Sequence, residues 1–141
     1  MTELWSEDMV GFLLGCSFSW EDVLAERGLI PRHVEEKKNV PMFRSEIPNV
    51  PAGVFHGDMV VSMRPYKPED AEKAAAITSA YPGAHGGPVH WGDSEVVGVR
   101  GEELSTPHWG DAVEMREGEV TLPHVSHPIL HGPTSARFTK C

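Results

Sequence analysis

One glycine-rich segment, residues 83–93, combines two histidines with a carboxylate: His85, His90 and Asp93. Glycine lets backbone approach a ligand closely, and histidine exchanges protons near neutral pH. A carboxylate beside an imidazole can fix its tautomer and raise its basicity. The segment therefore predicts an acid–base site in which His85 and His90 transfer protons and Asp93 orients them. The alternative is that the two histidines cap turns and hydrogen-bond the backbone.

A second set of residues could hold a carboxylate-bearing ligand. Cys16 and its neighbours precede a predicted helix start, where the helix dipole favours an anion or a thiolate. Arg64 follows an apolar strand and could grip a carboxylate through two N–H groups; a surface ion pair is the alternative. Arg44 has the same two interpretations. The predicted substrate-binding residues are Cys16, Ser17, Ser19, Asn39, Arg44, Arg64 and Asp111.

The histidine spacing also raises the question of a metal. The two histidines and the aspartate of the glycine-rich segment could supply three ligands, and His124, His127 and His131 are closely spaced. Zinc ligands normally stand on fixed elements with a satisfied second shell, whereas the last three histidines stand among prolines. We therefore predict neither a metal nor another cofactor.

Helix caps, breakers and apolar spacing indicate the elements that must position these residues. The prolines between Pro31 and Pro51 are expected to keep that stretch irregular. The pattern predicts the α/β class (mixed α+β), as a single loop-rich domain with a small mixed sheet flanked by helices. The predicted helices begin at Ser6, at the Ser19 cap and at Pro68, the strand covers 59–63, and a hairpin joins 112–115 to 119–122.

Composition excludes some classes of partner. The 141 residues carry a net charge of −9, whereas binding to nucleic acid needs clustered Lys and Arg. The longest apolar run, Met9–Leu14, is too short to span a membrane. Two cysteines make no disulfide framework, and the acidic start is unlike a signal or transit peptide. A soluble, cytoplasmic protein is expected, with the mitochondrial matrix as the alternative in a eukaryote.

Six motifs, in order over about residues 5–120, resemble those of a known family. They are FLLGCSFS (12–19), NVPM (39–42), PAG (51–53), VVSMRP (60–65), HGGPVH (85–90) and GDAV (110–113). In order and spacing they are similar to the hydro-lyase family that includes D-glutamate cyclase. Family members are longer, with a preceding N-terminal portion, and they differ from this chain after Val120. The resemblance implies a partial family domain over 1–122 and a divergent, flexible tail over 123–141.

The resemblance also implies a reaction. D-Glutamate cyclisation joins the α-amine to the side-chain carboxyl and expels water, which needs a base, an acid and oxyanion donors. The implied activity is a lyase that dehydrates or cyclises a small amino or hydroxy acid by His/Asp chemistry. One alternative is a catalytically incomplete family member that acts as a small-carboxylate binding domain or as a regulatory domain. Another is a homo-oligomer whose copies share a site.

Overall fold

The computed structural model describes residues 6–9, 15–54 and 56–126. The elements of this part of the chain follow one another as helices, strands and short 3₁₀ segments. The helices are α1 (Phe18–Glu26), α2 (Arg32–Glu35) and α3 (Pro68–Thr78); the strands are β1 (Met42–Pro48), β2 (Asp58–Tyr66) and β3 (Val120–Val125); the 3₁₀ segments are Pro82–Ala84, Ser94–Val97 and Gly101–Ser105.

The three strands form one antiparallel sheet with β2 in the middle. Ser62 pairs with His124 and Arg64 with Leu122 across the β2–β3 ladder. Because strand side chains alternate between faces, these four residues share one face. The predicted α/β class is confirmed, but this sheet is purely antiparallel rather than mixed.

Each face of the sheet has its own core. On the face of Arg64, Trp20 and Leu24 of α1 and the alanines of α3 pack against Tyr66 and Leu122. The small alanine side chains let α3 lie close to the strands. On the opposite face, apolar residues of β1 and β2 pack against the 3₁₀ segment at 94–97 and Val99. Both cores meet at β2, whose last seven residues are buried.

The structure corrects two predictions about strands. The stretch from Pro31 to Pro51 contains α2 and β1, because Pro41 and Pro48 bound the strand rather than interrupt it. Residues 112–115 form no strand, since two of their carbonyls accept side-chain bonds: Ala112 from Lys38 Nζ and Glu114 from Arg32 Nη1. β3 pairs with β2 instead.

The ends of the predicted elements also move. α1 begins one residue before the predicted Ser19 cap, and α3 covers the predicted stretch from Pro68. β3 continues to Val125, three residues past the expected domain boundary at 122. Most of the helix expected after Ser6, and residues 127–141 of the expected tail, lie outside the described residues. Within the described part, no helix is long and apolar enough to cross a membrane.

Two glycines with the same backbone conformation test how tightly the loops are packed. Gly110 and Gly118 both have φ +79°, but a Cβ at Gly110 would lie 2.0 Å from the Val40 carbonyl oxygen, whereas one at Gly118 would meet nothing within 4 Å. We expect Gly118→Ala to lower the free energy of unfolding by about 1–2 kcal/mol through backbone strain alone. Gly110→Ala should cost about 3 kcal/mol or more. Urea denaturation measures both, and equal losses would contradict the close approach at Gly110.

Candidate functional site

A buried ion pair lies between the sheet and α1. Arg64 is fully buried, and its Nη2 donates to Glu21 Oε1 at 2.7 Å while its Nη1 donates to Ser62 Oγ at 3.0 Å. Its Nε finds no hydrogen-bond partner within the described part of the chain. The guanidinium is thus engaged by protein groups, as in the ion-pair alternative, although with a buried rather than a surface carboxylate.

His33 of α2 completes this cluster. Its Nε2 lies 3.3 Å from Glu21 Oε1, in an orientation that makes no hydrogen bond. Burial alone would raise the pKa of Glu21, but the adjacent His33 ring and the Arg64 guanidinium outweigh burial and lower it to about 2. Glu21 is therefore ionised at every pH at which the protein would work.

Trp20 connects the ion pair to the glycine-rich segment. The Arg64 guanidinium lies 4.7 Å from the Trp20 ring centroid, within cation–π range. The His124 ring lies 4.9 Å from the same indole. The indole Nε1 donates to the Ala84 carbonyl at 2.7 Å, in a fully buried hydrogen bond. One side chain thus contacts the charge cluster, β3 and the turn before His85.

His124 is a buried neutral histidine. Its Nδ1 lies 3.2 Å from the Leu122 carbonyl, and its Nε2 lies 3.2 Å from Thr78 Oγ1. A carbonyl only accepts, so Nδ1 carries the proton and Nε2 accepts from the hydroxyl. Burial, together with the positive charge of Arg64, lowers the pKa of His124 to about 3.

The Cys16–Ser17 turn and the turn before His85 lie against each other. A Cβ on Gly15 would stand 1.8 Å from the Gly83 carbonyl oxygen, so only glycine permits this contact. His85 follows with φ +74°, a left-handed conformation that is strained for a residue with a side chain. Its charge contributes to the low pKa of His124. The structure therefore brings together the start of α1, His85 and the cluster around Trp20.

His90 and Asp93 lie further along the same segment, beside β3. Val89 N donates to the Pro123 carbonyl at 2.9 Å, and a Cβ on Gly92 would stand 3.5 Å from His90 Nε2. Asp93 Oδ1 accepts from Glu95 N at 3.0 Å and so caps the following 3₁₀ segment. The Asp93 carboxylate thus caps a turn, a role that the sequence analysis did not consider for it.

The remaining predicted residues occupy other places. Asn39 and Asp111 bind each other: Asn39 N and Nδ2 donate to Asp111 Oδ2 at 2.8 and 2.9 Å. Arg44 is exposed on β1, and its backbone N donates to His108 Nδ1 at 3.5 Å. Ser19 is exposed in the first turn of α1, while Ser17 is buried and precedes the helix.

Sequence reasoning missed Trp20, Glu21, His33 and the role of His124. No spacing rule links Glu21 to Arg64 across 43 residues, and His124 was assigned to the tail. The one available signal was the Trp20-Glu21 pair inside a predicted helix. An aromatic ring and a carboxylate are suitable partners for the guanidinium of Arg64, which follows the predicted strand 59–63.

Space for a ligand exists beside this cluster. A cavity of about 300 Å³ is lined by Phe18, Glu21, Asp22 and Ala25 along α1 and by Val34 of α2. Its walls combine apolar side chains with two carboxylates. Among the residues that the structure describes, no group of three His, Cys, Asp or Glu side chains is placed to hold a metal ion.

Breaking the buried pair should cost far more than changing an exposed carboxylate on the same helix. Glu21→Gln leaves the buried charge of Arg64 uncompensated, and we expect a loss of about 3–5 kcal/mol in the free energy of unfolding. Glu26→Gln, exposed on α1, should change it by less than about 0.5 kcal/mol. Chemical denaturation at pH 7 measures both variants; similar midpoints would show that the pair does not stabilise the fold.

His124 should make stability depend on pH. Its folded pKa of about 3 lies below the unfolded value of 6.5, so the unfolded state binds the proton more readily between these values. This contribution is fully present above pH 6.5 and is lost as the pH falls toward 3. Between pH 7.5 and 5 we expect it to remove about 2 kcal/mol.

The measurement is urea denaturation across that range, with two variants compared. His124→Gln, which cannot titrate, should lose this slope, although it is less stable at pH 7.5. His56→Gln, at an exposed loop position, should keep it. A slope that is the same in both variants would contradict a buried neutral His124.

Comparisons with known proteins identify the family. The sequence model of the D-glutamate cyclase family matches residues 10–127. Proteins named "Putative hydro-lyase" from Burkholderia multivorans and Bacillus licheniformis are 55% and 52% identical over 84% and 86% of this chain. The protein named "Putative hydro-lyase YcsI" from Bacillus subtilis is 50% identical over 86% of it. These matches cover 45%, 46% and 47% of the three relatives, so the chain spans about half their length. The chain belongs to the D-glutamate cyclase family.

Proposed function

We propose that this domain contributes an acid–base site to a lyase that cyclises or dehydrates a small amino or hydroxy acid, with D-glutamate as the first candidate substrate. The observation that carries the proposal is the position of His85. This residue has a strained backbone conformation and directly follows the turn at Gly83 and Ala84, which packs against Gly15 just before the Cys16–Ser17 turn. Strain of this kind in a titratable residue is concentrated at functional sites.

The reaction sets the tasks for these residues. The α-nitrogen of D-glutamate attacks the side-chain carboxyl carbon, a C–N bond forms, a C–O bond breaks, and water leaves with 5-oxo-D-proline as product. A base must take a proton from the nitrogen, and an acid must protonate the departing oxygen. We assign these transfers to His85 and His90. Asp93 supports them indirectly, by capping the 3₁₀ segment that follows their loop.

Substrate binding is assigned to the start of α1. The helix dipole and the backbone amides near Ser17 favour a carboxylate, and Cys16 and Ser19 flank the same turn. The neighbouring cavity is at the lower end of the size range of small-molecule sites. The two terminal nitrogens of Arg64 already donate to Ser62 and Glu21, so we do not assign Arg64 to substrate binding. Its role is to hold Glu21 and Trp20 of α1 in place.

The test is the formation of 5-oxo-D-proline from D-glutamate, which chiral chromatography measures. His85→Ala should lower kcat by about 100-fold or more, as expected when a positioned acid or base is lost. His56→Ala is the matched control, because His56 is exposed in a loop, and it should leave the rate unchanged. If neither His85→Ala nor His90→Ala changed the rate, the assignment would be wrong.

A second candidate, a domain that binds small carboxylates without turnover, is favoured by one observation. Asp93 caps a turn and Arg64 pairs with Glu21, so two groups that could serve catalysis are engaged in the fold. Binding to the native state raises the melting temperature. A thermal shift with D-glutamate, with no product after long incubation, would support this second candidate over the first.

A further inference from the structure

Trp20 is tied to the backbone immediately before His85. Its indole Nε1 donates to the Ala84 carbonyl at 2.7 Å, and both residues are buried. That carbonyl belongs to the same planar peptide group as the His85 nitrogen. A hydrogen bond that fixes this oxygen therefore also restricts the His85 nitrogen and Cα, which lie in the same plane and carry the side chain.

The indole itself packs against two anchored side chains. It is fully buried, with the Arg64 guanidinium 4.7 Å from its ring centroid and the His124 ring at 4.9 Å. Arg64 is anchored by Glu21 and Ser62, and His124 by its bonds to Thr78 and the Leu122 carbonyl. The donor therefore has little freedom to follow the turn if the turn shifts.

The other side of the turn is also closed. Gly15 lies so near the Gly83 carbonyl that a single methyl group would overlap it at 1.8 Å. The turn is thus clamped between the backbone before α1 and the Trp20 indole. Such a clamp can maintain the unfavourable φ of +74° at His85, which strain would otherwise relax.

We infer that Trp20 is a positioning residue for His85: its indole N–H holds the turn that presents the imidazole at the candidate site. The inference deepens the proposed function and rests on it for its catalytic consequence. The geometric part, a coupling between the indole and the His85 ring, can be measured whether or not the domain turns over D-glutamate.

Trp20→Phe removes the N–H donor and keeps an aromatic ring beneath Arg64. We expect kcat for 5-oxo-D-proline formation to fall at least 10-fold, with KM changed less than threefold, because the substrate-binding turn is intact and the acid–base group is displaced. Trp109→Phe is the matched control, since its ring packs against His108, which the proposal does not assign to the site. It should leave both constants unchanged.

NMR titration of the histidine rings gives the readout that a merely structural role would not move. The His85 signals are assigned by their loss in His85→Gln. We expect Trp20→Phe, but not Trp109→Phe, to shift the His85 titration midpoint while circular dichroism stays native. A His85 midpoint and a kcat that both match the control would overturn the inference. A shifted midpoint in a domain without cyclase activity would support the inference and reject the proposed function.

The wild-type protein decides the matter if Trp20→Phe does not fold. The indole ¹⁵Nε1–H signal of Trp20 should move as the pH passes through the His85 midpoint, because the two groups share the Ala84–His85 peptide unit. In His85→Gln, which lacks the His85 midpoint, the Trp20 signal should no longer follow it. A Trp20 signal that remains constant through the midpoint would overturn the inference.

Discussion

Arg64 carries a positive charge into the face of the sheet on which α1 and α3 pack, and a charge removed from water costs several kcal/mol unless it is paired. Glu21 supplies the opposite charge, Ser62 supplies an acceptor, and Trp20 covers the guanidinium. These partners come from α1 and β2, so the need to pair the buried Arg64 charge fixes the position of α1 on the strand. The Cys16–Ser17 turn at the start of α1 is positioned by the same contacts.

The two buried histidines show how this environment differs over a short distance. His33 lies beside the Glu21 carboxylate, whereas the fully buried His124 packs against Trp20 and hydrogen-bonds a hydroxyl and a carbonyl. Burial and the nearby Arg64 charge lower the pKa of His124, so a charged imidazole is disfavoured at the β3 side of the cluster.

Local sequence signals predict several of the elements and the family. Pro68 with its acidic first turn predicted α3, and the apolar run of β2 predicted the central strand. Strand pairing could not be predicted from local signals. The prolines at the ends of β1 predicted an irregular stretch, and the expected domain boundary at 122 fell inside β3. The Glu21–Arg64 pair could not be predicted, because it depends on how α1 crosses the sheet. The glycine-rich surroundings and the titratable ring of His85 are local features, so the sequence alone is enough to propose His85 as a candidate.

The Gly15–Gly83 contact and the Trp20–Ala84 hydrogen bond close chain segments of more than sixty residues. Closing long segments costs conformational entropy before any contact repays it, so such contacts form slowly compared with helices and short turns. We therefore expect the candidate site to be built by long-range contacts that form after the helices and short turns. Helix α3 can form while the polypeptide is still open, but His85 reaches its place only when the two ends of that long loop have met. A chain with its local elements formed but its long-range contacts still open would thus carry the residues of the site without their arrangement.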